Sequence, residues 1–176
     1  LVRPDSVVVA TKLFAEVAAS AVAAEILQRH LHAGQAERGH TVVVMEAASK
    51  PGGQIRLTAQ SPRRREMISI IDWRMARCEE RGVVFRFNTL ADAQTVLDEQ
   101  PDVVIVATGG LPHTEVLGEG NDLVVSSWDI LSGDVAPGRN VLLYDDAGDH
   151  PALQAAEVIA QTGARVEIMT PDRAFA

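Results

Sequence analysis

Short, nearly continuous runs of apolar residues recur along the chain and are separated by polar stretches that contain glycine or proline. β-Branched residues are prominent in these runs, which are Val7 to Val9, Thr41 to Met45, Val83 to Phe87, Val103 to Ala107, Val141 to Tyr144, and Arg165 to Met169. Such runs, which lack a regular polar alternation, are typical of strands buried on both faces. The pattern therefore predicts a parallel β-sheet.

Between several of the predicted strands, apolar residues recur with the period of an α-helix. The first helical pattern covers Phe14 to Val22, the second runs from about Arg64 to Arg81, and the third spans Pro151 to Thr162. Pro151 suits a first helical turn, and Gly163 suits a helix end. This alternation predicts an α/β fold with a Rossmann-like parallel sheet in a three-layer nucleotide-binding arrangement.

Two stretches follow one plan, in which a helical pattern, a glycine turn and a buried strand succeed each other. The turns are residues 37–40 (Glu-Arg-Gly-His) and residues 161–164 (Gln-Thr-Gly-Ala). This plan is the second half of a βαβ unit, so the sequence predicts two nucleotide-fold units. We place an FAD- or ADP-binding-like Rossmann domain at residues 1–137 and the truncated start of a second, NAD(P)-binding-like βαβ unit at residues 138–176.

The region between these units, residues 121–138, contains proline, glycine and many polar residues. Such a composition is typical of a loop. We therefore predict that this region connects the two units.

Charge and cysteine content limit the classes of partner. With 24 acidic and 16 basic residues the net charge is -8, which argues against nucleic acid because phosphate backbones are bound through an excess of Lys and Arg. Cys78 is the only cysteine, so the chain itself has no internal disulfide and no cysteine-rich cluster, as is typical of a reducing compartment. No apolar run reaches the roughly 18 residues of a membrane helix. We expect a cytoplasmic protein with no membrane partner.

Glu46 and the segment Gly52-Gly53-Gln54 are the first candidate site residues. Glu46 follows the second predicted strand, where an acidic residue of a dinucleotide fold accepts hydrogen bonds from ribose hydroxyls. The two glycines permit backbone conformations and close approach that a Cβ would block, and their amides could face a pyrophosphate or a flavin ring. The alternative is a solvent-facing Glu followed by an ordinary Pro-Gly-Gly turn.

Thr108, Gly109 and Gly110 form the second candidate segment, directly after the predicted strand at Val103 to Ala107. The chain can turn sharply here, and open α/β sheets bind ligands beyond the carboxyl ends of their strands. A turn that only ends the strand remains the alternative.

Taken together, these segments resemble a known family. Glu46, Pro51 to Arg56 and Ala107 to Gly110 look like the flavin-binding half of flavoproteins with two dinucleotide folds. A closer resemblance is to the C-terminal part of old-yellow-enzyme-like reductases and demethylases, which include 2,4-dienoyl-CoA reductase, trimethylamine dehydrogenase and N-methylproline demethylase. It is carried by Ala48 to Arg56, Pro62 to Glu66, Trp73, and Asp102 to Pro112, within roughly Ala36 to Ala176.

The resemblance implies a set of cofactors and partners. In that family this part binds FAD, or ADP in its place, while an N-terminal barrel carries FMN and a cysteine cluster holds a 4Fe-4S centre; NAD(P)H is a further cofactor of the complete enzyme. The barrel and the cluster cysteines are expected outside this chain. The sequence opens without Met and closes in a polar segment, so we expect a piece of a longer electron-transfer enzyme.

The beginning of the chain departs from the family pattern. A dinucleotide fold normally places G-x-G-x-x-G after its first strand, where backbone amides hold the pyrophosphate. Here that pattern would fall on Ala10, Lys12 and Ala15, none of which is glycine. Residues 1–35 are therefore atypical, and the missing glycines argue against a high affinity for FAD.

The loop that would hold phosphate in the second unit departs in another way. It contains Asp145, Asp146 and Asp149, whose carboxylates favour a helix N-terminus but repel an anionic pyrophosphate. Their spacing lacks the register of an EF-hand, so we predict helix capping rather than a metal site.

Two hypotheses of function follow. The first is a flavin- or adenine-nucleotide-binding portion of an NADH:flavin oxidoreductase-type enzyme, which is not active alone. No residue is a convincing general acid, base or nucleophile, as expected where the cofactor carries the hydride and electron chemistry. The second is a degenerate Rossmann-like module that serves domain docking or forms a homo-oligomer.

Overall fold

The computed structural model describes residues 6–10, 36, 38–115, 117–146, 148 and 150–173. The predicted helix at Phe14 to Val22, and the loop positions Lys12, Ala15 and Asp149, lie outside the described residues. The chain divides into two compact units, one formed by residues 1–53 and 69–111 and the other by residues 54–68 and 112–176. The predicted domain boundary at residue 137 stays a prediction.

The first unit is built on a four-stranded sheet. Its strands are β1 (Ser6–Ala10), β2 (Thr41–Met45), β3 (Val84–Arg86) and β4 (Val103–Val106). Their order is β3-β2-β1-β4 and every pair is parallel. This is the order with which one half of a doubly wound nucleotide-binding fold begins, so the predicted parallel α/β sheet is confirmed.

Five α-helices lie within the described residues. They are α1 (Gly53–Thr58), α2 (Ile68–Glu79), α3 (Ala93–Leu97), α4 (Ser127–Ser132) and α5 (His150–Gln161). Short 3-10 helices occupy Pro62–Met67 and Asn121–Leu123. The helix predicted from Arg64 thus starts as a 3-10 helix, and the predicted connector at residues 121–138 contains α4.

Strand β2 is buried on both faces, as its sequence predicts. Val42 and Val44 on one face pack with Cys78 of α2. Met45 on the other face has no exposed surface and packs with residues in and before α3. The end of β2 is therefore held between two layers of apolar side chains.

The prediction of two buried faces is wrong for β4. Val103, Val104 and Val106 expose 38%, 41% and 59% of their surface. The physical reason is the position of β4, since it is the outer strand of the sheet next to β1. An apolar run therefore predicts a strand here without predicting its burial.

The second unit contains a two-stranded parallel sheet of β5 (Asn140–Tyr144) and β6 (Arg165–Met169). Helix α5 joins the strands, packs against both and buries Ala155 and Ile159. Side chains alternate between half-buried and exposed along each strand. The prediction of two buried faces is wrong here as well, because α5 covers one side of the sheet.

The repeated glycine turn predicted from the sequence is confirmed. Gly39 has a φ of +86° and Gly163 a φ of +84°. Each donates its amide to the carbonyl three residues earlier, of Ala36 and Ala160, at 3.0 Å. Glycine suits this conformation because L-residues with a Cβ rarely adopt it. Each turn leads into a parallel strand.

Candidate functional site

The candidate residues of the first unit follow β2 and β4, the two strands that flank β1. Ala10 at the end of β1 pairs with both Met45 and Val106, so the carboxyl ends of these strands share one edge of the sheet. Neighbouring strands lie about 4.8 Å apart, which separates the ends of β2 and β4 by about 10 Å. Parallel α/β sheets bind ligands at this edge.

Glu46 is half-buried directly after β2, and its carboxylate turns back over its own loop. Its Oε1 accepts a hydrogen bond from the amide of Ala48 at 2.8 Å. This bond orients the carboxylate at the edge of the sheet where an acidic residue of a dinucleotide fold meets ribose hydroxyls. The geometry at Glu46 is compatible with a ribose contact.

The loop after β2 is tied to the loop after β3. The amide of Glu46 donates to the carbonyl of Arg86 at 3.0 Å, and the amide of Thr89 donates to the carbonyl of Glu46 at 2.9 Å. The amide of Asn88 donates to the carbonyl of Ala48 at 3.1 Å. Sequence reasoning missed this connection; the Asn-Thr pair shortly after β3 indicates a turn, since Asn tolerates a left-handed conformation, but it does not indicate which loop the turn contacts.

Gly52 and Gly53 both adopt positive φ angles, +114° and +44°. This conformation gives a reason for glycine at both positions. A Cβ on Gly53 would meet no atom within 4 Å in the described part of the chain, so crowding is not the reason at that position. The turn leaves open space beside the backbone.

Gln54, the next predicted site residue, lies in α1 and is half-buried. The division of the chain falls between Gly53 and Gln54, so Gln54 belongs to the second unit. Its predicted role in binding stays a prediction.

Thr108, Gly109 and Gly110 follow β4 without regular secondary structure and are half-buried. Gly109 has a φ of +67°, and a Cβ there would have no neighbour within 4 Å among the described atoms. The predicted turn after the strand is present at Gly109. It lies at the same sheet edge as the loop that carries Glu46.

The loop between β5 and α5 in the second unit is organised by Asp145. This residue is 3% exposed, and its Oδ1 accepts the amide of Gly148 at 3.0 Å. Its Oδ2 is buried with no hydrogen-bond partner among the described residues. A Cβ on Gly148 would lie 2.5 Å from Oδ2 of Asp172. The amide of Gly148, a group that could otherwise face a phosphate, is therefore bonded to a carboxylate of the same loop.

Cys78, the cysteine of the chain, is buried in the apolar core of the first unit. Burial raises the pKa of the Cys78 thiol, and the charges of Arg74 and Arg81 offset this only in part, so the thiol is neutral and protected.

No cluster of three or more His, Cys, Asp or Glu side chains suited to a metal occurs within the described ranges. The helices of those ranges include none that is long and apolar enough to cross a membrane.

Comparison with known proteins identifies several whose sequences are similar to this chain. The chain is 74% identical over 140 residues, 80% of its length, to a probable N-methylproline demethylase of Rhizobium meliloti. It is 44% identical over 144 residues, 78% of its length, to an N,N-dimethylglycine/sarcosine dehydrogenase of Chromohalobacter salexigens. A multifunctional alkene reductase/demethylase of Caballeronia cordobensis is 40% identical over 137 residues, also 78% of the chain. No protein-family model matches the chain.

Solved structures show the same fold. A 2-naphthoyl-CoA reductase superimposes on 94% of the chain with a TM-score of 0.75 and 29% sequence identity, and the match covers 23% of that protein. The histamine dehydrogenase of Rhizobium sp. 4-9 gives a TM-score of 0.76 over 99% of the chain, and 26% of its own length, at 21% identity. The latter likeness concerns the fold alone.

The parallel α/β sheet is that of a nucleotide-binding-like fold, and the curated relatives are reductases, dehydrogenases and demethylases, so the chain is a portion of an oxidoreductase. The chain belongs to the family of old-yellow-enzyme-like flavoprotein oxidoreductases that includes N-methylproline demethylase. The resemblance seen in the sequence is confirmed. The chain spans about a fifth of the length of the curated relatives it matches.

Proposed function

We propose that the first unit binds the adenine nucleotide of FAD, or ADP in its place, within a flavin-dependent oxidoreductase. The observation that carries this proposal is the placement of Glu46. Its carboxylate is oriented at the carboxyl edge of the sheet, at the tip of the strand next to β1. An acidic residue at this point of a dinucleotide fold accepts hydrogen bonds from ribose hydroxyls.

The glycine turns supply the space that such a ligand requires. Gly53 and Gly109 carry positive φ angles, and no atom of the described residues lies within 4 Å of the position that a Cβ would take. Backbone amides in such turns are suitable donors to a pyrophosphate. In this assignment Gly52 and Gly53 approach the pyrophosphate or flavin, and Thr108 to Gly110 close the pocket.

The role in the complete enzyme follows from the same assignment. When bound, a flavin supplies the hydride and electron chemistry, and residues of this chain bind and orient it. Identity of 74% to a probable N-methylproline demethylase supports oxidative removal of a methyl group from an N-methylated amino acid as the activity of the whole protein. The chain would take part in electron transfer there, without turnover of its own. An FMN-carrying barrel, a 4Fe-4S centre and NAD(P)H belong to this proposal as elements outside the chain.

Calorimetric titration with ADP and FAD tests the nucleotide site. Glu46→Gln should weaken ADP binding by about 10- to 100-fold, since a hydrogen bond to a charged group contributes about 1.5–3 kcal/mol. The loss should disappear with 2′-deoxy-ADP if that hydroxyl is the partner. Glu119→Gln, a substitution at an exposed residue of the second unit, is the matched control. Absence of any nucleotide binding, or equal ADP affinity of Glu46→Gln and the unchanged chain, would overturn the proposal.

A second candidate function is docking or self-association through the sheet of the second unit. The side of this sheet that exposes Leu142, Tyr144 and Met169, at 62%, 47% and 50%, favours it. Parallel sheets are normally covered on both faces. A mass that stays monomeric at every concentration in light scattering would count against self-association.

A further inference from the structure

Asn88 has a backbone conformation that few residues with a side chain adopt. Its φ is +54°, in the left-handed region. Asn enters this region more readily than most L-residues do, and β-branched residues are the least suited to it. Asn88 lies two residues beyond β3, where the chain leaves the sheet. The conformation therefore occurs beside the candidate nucleotide site.

The turn at Asn88 points the backbone amides of Asn88 and Thr89 at the loop that carries Glu46. The amide of Asn88 reaches the carbonyl of Ala48 at 3.1 Å, and the amide of Thr89 reaches the carbonyl of Glu46 at 2.9 Å. The amide of Glu46 is bonded in turn to the carbonyl of Arg86 at 3.0 Å. Both backbone polar groups of Glu46 are thus held by the chain around Asn88, and the Ala48 carbonyl is held as well.

The turn at Asn88 is itself supported from the side of β3. The hydroxyl of Thr89 donates to the carbonyl of Phe87 at 3.2 Å. The rings of Phe85 and Phe87 stack with their centroids 5.6 Å apart. Arg86 pairs with Glu99, with Nη2 and Oε2 at 3.0 Å. These contacts fix the end of β3 relative to the residues after α3, so the turn has a rigid base.

We propose that Asn88 is a positioning residue of the nucleotide site. Its left-handed turn fixes the backbone of Glu46 and thereby sets the place at which the Glu46 carboxylate meets a ribose hydroxyl. Asn88 acts through Glu46 and need not touch the ligand. This inference rests on the proposed nucleotide binding and adds a conformational requirement to it: position 88 needs a residue that tolerates a left-handed backbone.

Substitutions that differ in backbone tolerance test this requirement. Asn88→Gly should keep the ADP dissociation constant within about twofold, because glycine adopts this conformation at no steric cost. Asn88→Val should raise the dissociation constant about tenfold, because a β-branched residue shifts the turn away from Glu46. Equal affinity of the Val variant and the unchanged chain would overturn the proposal. A Gly variant as weak as the Val variant would overturn it too, since the side chain and not the backbone would then matter.

Gln100 supplies a matched control for strain alone. It is also a non-glycine residue with a positive φ, +51°, and its amide bonds to the carbonyl of Leu97 at the end of α3 rather than to the loop of Glu46. Gln100→Val should lower the thermal midpoint as Asn88→Val does, yet leave the ADP affinity within about twofold. If Gln100→Val weakens ADP binding as much as Asn88→Val, general destabilisation explains the effect and the positioning role fails.

A double-mutant cycle separates this inference from the proposed function and does not depend on Asn88→Val folding well. Asn88→Ala and Glu46→Gln should be strongly non-additive in ADP binding, since the first acts through the second. If Glu46→Gln alone has no effect, the nucleotide proposal itself fails. If Glu46→Gln weakens binding but Asn88→Ala does not, or if the two effects add, only the positioning role fails.

Discussion

Asp92 shows how one side chain starts an element of this fold. Its Oδ1 accepts hydrogen bonds from the amide and the hydroxyl of Thr95, each at 2.7 Å. These bonds satisfy one of the orphan amides at the start of α3. The hydrogen bonds from Thr95 lower the pKa of the Asp92 carboxyl below its ordinary value.

The stability of the protein should therefore depend on pH through Asp92. Because the pKa is lower in the folded state, its contribution is fully present above the ordinary Asp value of about 3.9 and is lost as the pH falls through the lower, folded value. Asn is an equally good N-cap but does not titrate, so Asp92→Asn should match the unchanged chain at pH 7 and lose less stability in acid. Urea unfolding at pH 7 and pH 3 measures this, and equal acid losses would contradict it. Asp92→Ala, which removes the cap, should be less stable at pH 7 as well.

At the scale of residues, the sequence is most informative where a residue type has one main structural use. The sequence predicts backbone conformations that a Cβ would block at Gly52 and Gly53 and a sharp turn at Gly109, and all three have positive φ angles. Glu46 was placed at a strand end, which β2 confirms. The role of Asn88 could not be read from the sequence, because it depends on hydrogen bonds between two loops about 40 residues apart.

Among the elements, α5 and the 3-10 helix at Pro62–Met67 are linked by three side chains of the second unit. The fully buried Ser61 donates its hydroxyl to Oε2 of Glu157 at 2.9 Å. Arg63 contacts Oε1 of the same carboxylate through Nε at 3.0 Å, but its side chain is 84% exposed. The Glu157 carboxylate of α5 thus accepts a hydrogen bond from a buried hydroxyl and forms an ion pair with an exposed guanidinium.

These two contacts should differ in their effect on stability. Ser61→Ala should lower the free energy of unfolding by about 1–2 kcal/mol, since a buried hydrogen bond to a charged group is lost. Arg63→Ala should cost about 0–1 kcal/mol, since exposed ion pairs contribute little. Urea titrations of both variants measure the difference, and a larger loss for Arg63→Ala would contradict it. High salt should reduce the effect of Arg63→Ala only.

Strands were easier to predict than short helices. Each apolar run became a strand because its residues fit a pleated and at least partly buried surface. Helices α1, α3 and α4 have only five or six residues, which is too few for an apolar period to show. Helix α4 depends on a capping box, in which Ser126 accepts the amide of Asp129 and Asp129 accepts the amide of Ser126. The Ser-x-x-Asp pattern was the available signal.

For the whole molecule, ligand binding should affect the two units differently. ADP should protect amides of residues 46–53, 86–90 and 107–111 from hydrogen exchange, since these loops surround the proposed site in the first unit. Residues 140–173 should change little, because Asp145 already uses the amide of Gly148 in the corresponding loop. Exchange measured by mass spectrometry with and without ADP tests this. Protection centred on residues 145–150 would instead place the nucleotide in the second unit.

The architecture as a whole could be predicted from the sequence because alternating apolar runs and helical patterns allow few arrangements. The order of the four strands agrees with the predicted nucleotide-binding fold. The burial of the strand residues could not be predicted in the same way. The exposure of Val106 in β4 and of Tyr144 in β5 depends on which neighbours each strand has, and the composition of a strand does not contain that information.

The central position of β1 has a consequence for the order of events during synthesis. Val7 pairs with Val42 on one side and with Val103 on the other, so β1 has one partner early in the chain and one much later. A ribosome that releases the chain from its N-terminus supplies β2 and β3 well before β4. One side of β1 must therefore remain an unpaired edge until residue 106 has emerged, and exposed strand edges invite pairing with other chains. The addition of β4 then moves the edge of the sheet from β1 to β4, so the backbone groups of β1 gain their last partners only after about 100 residues have been made.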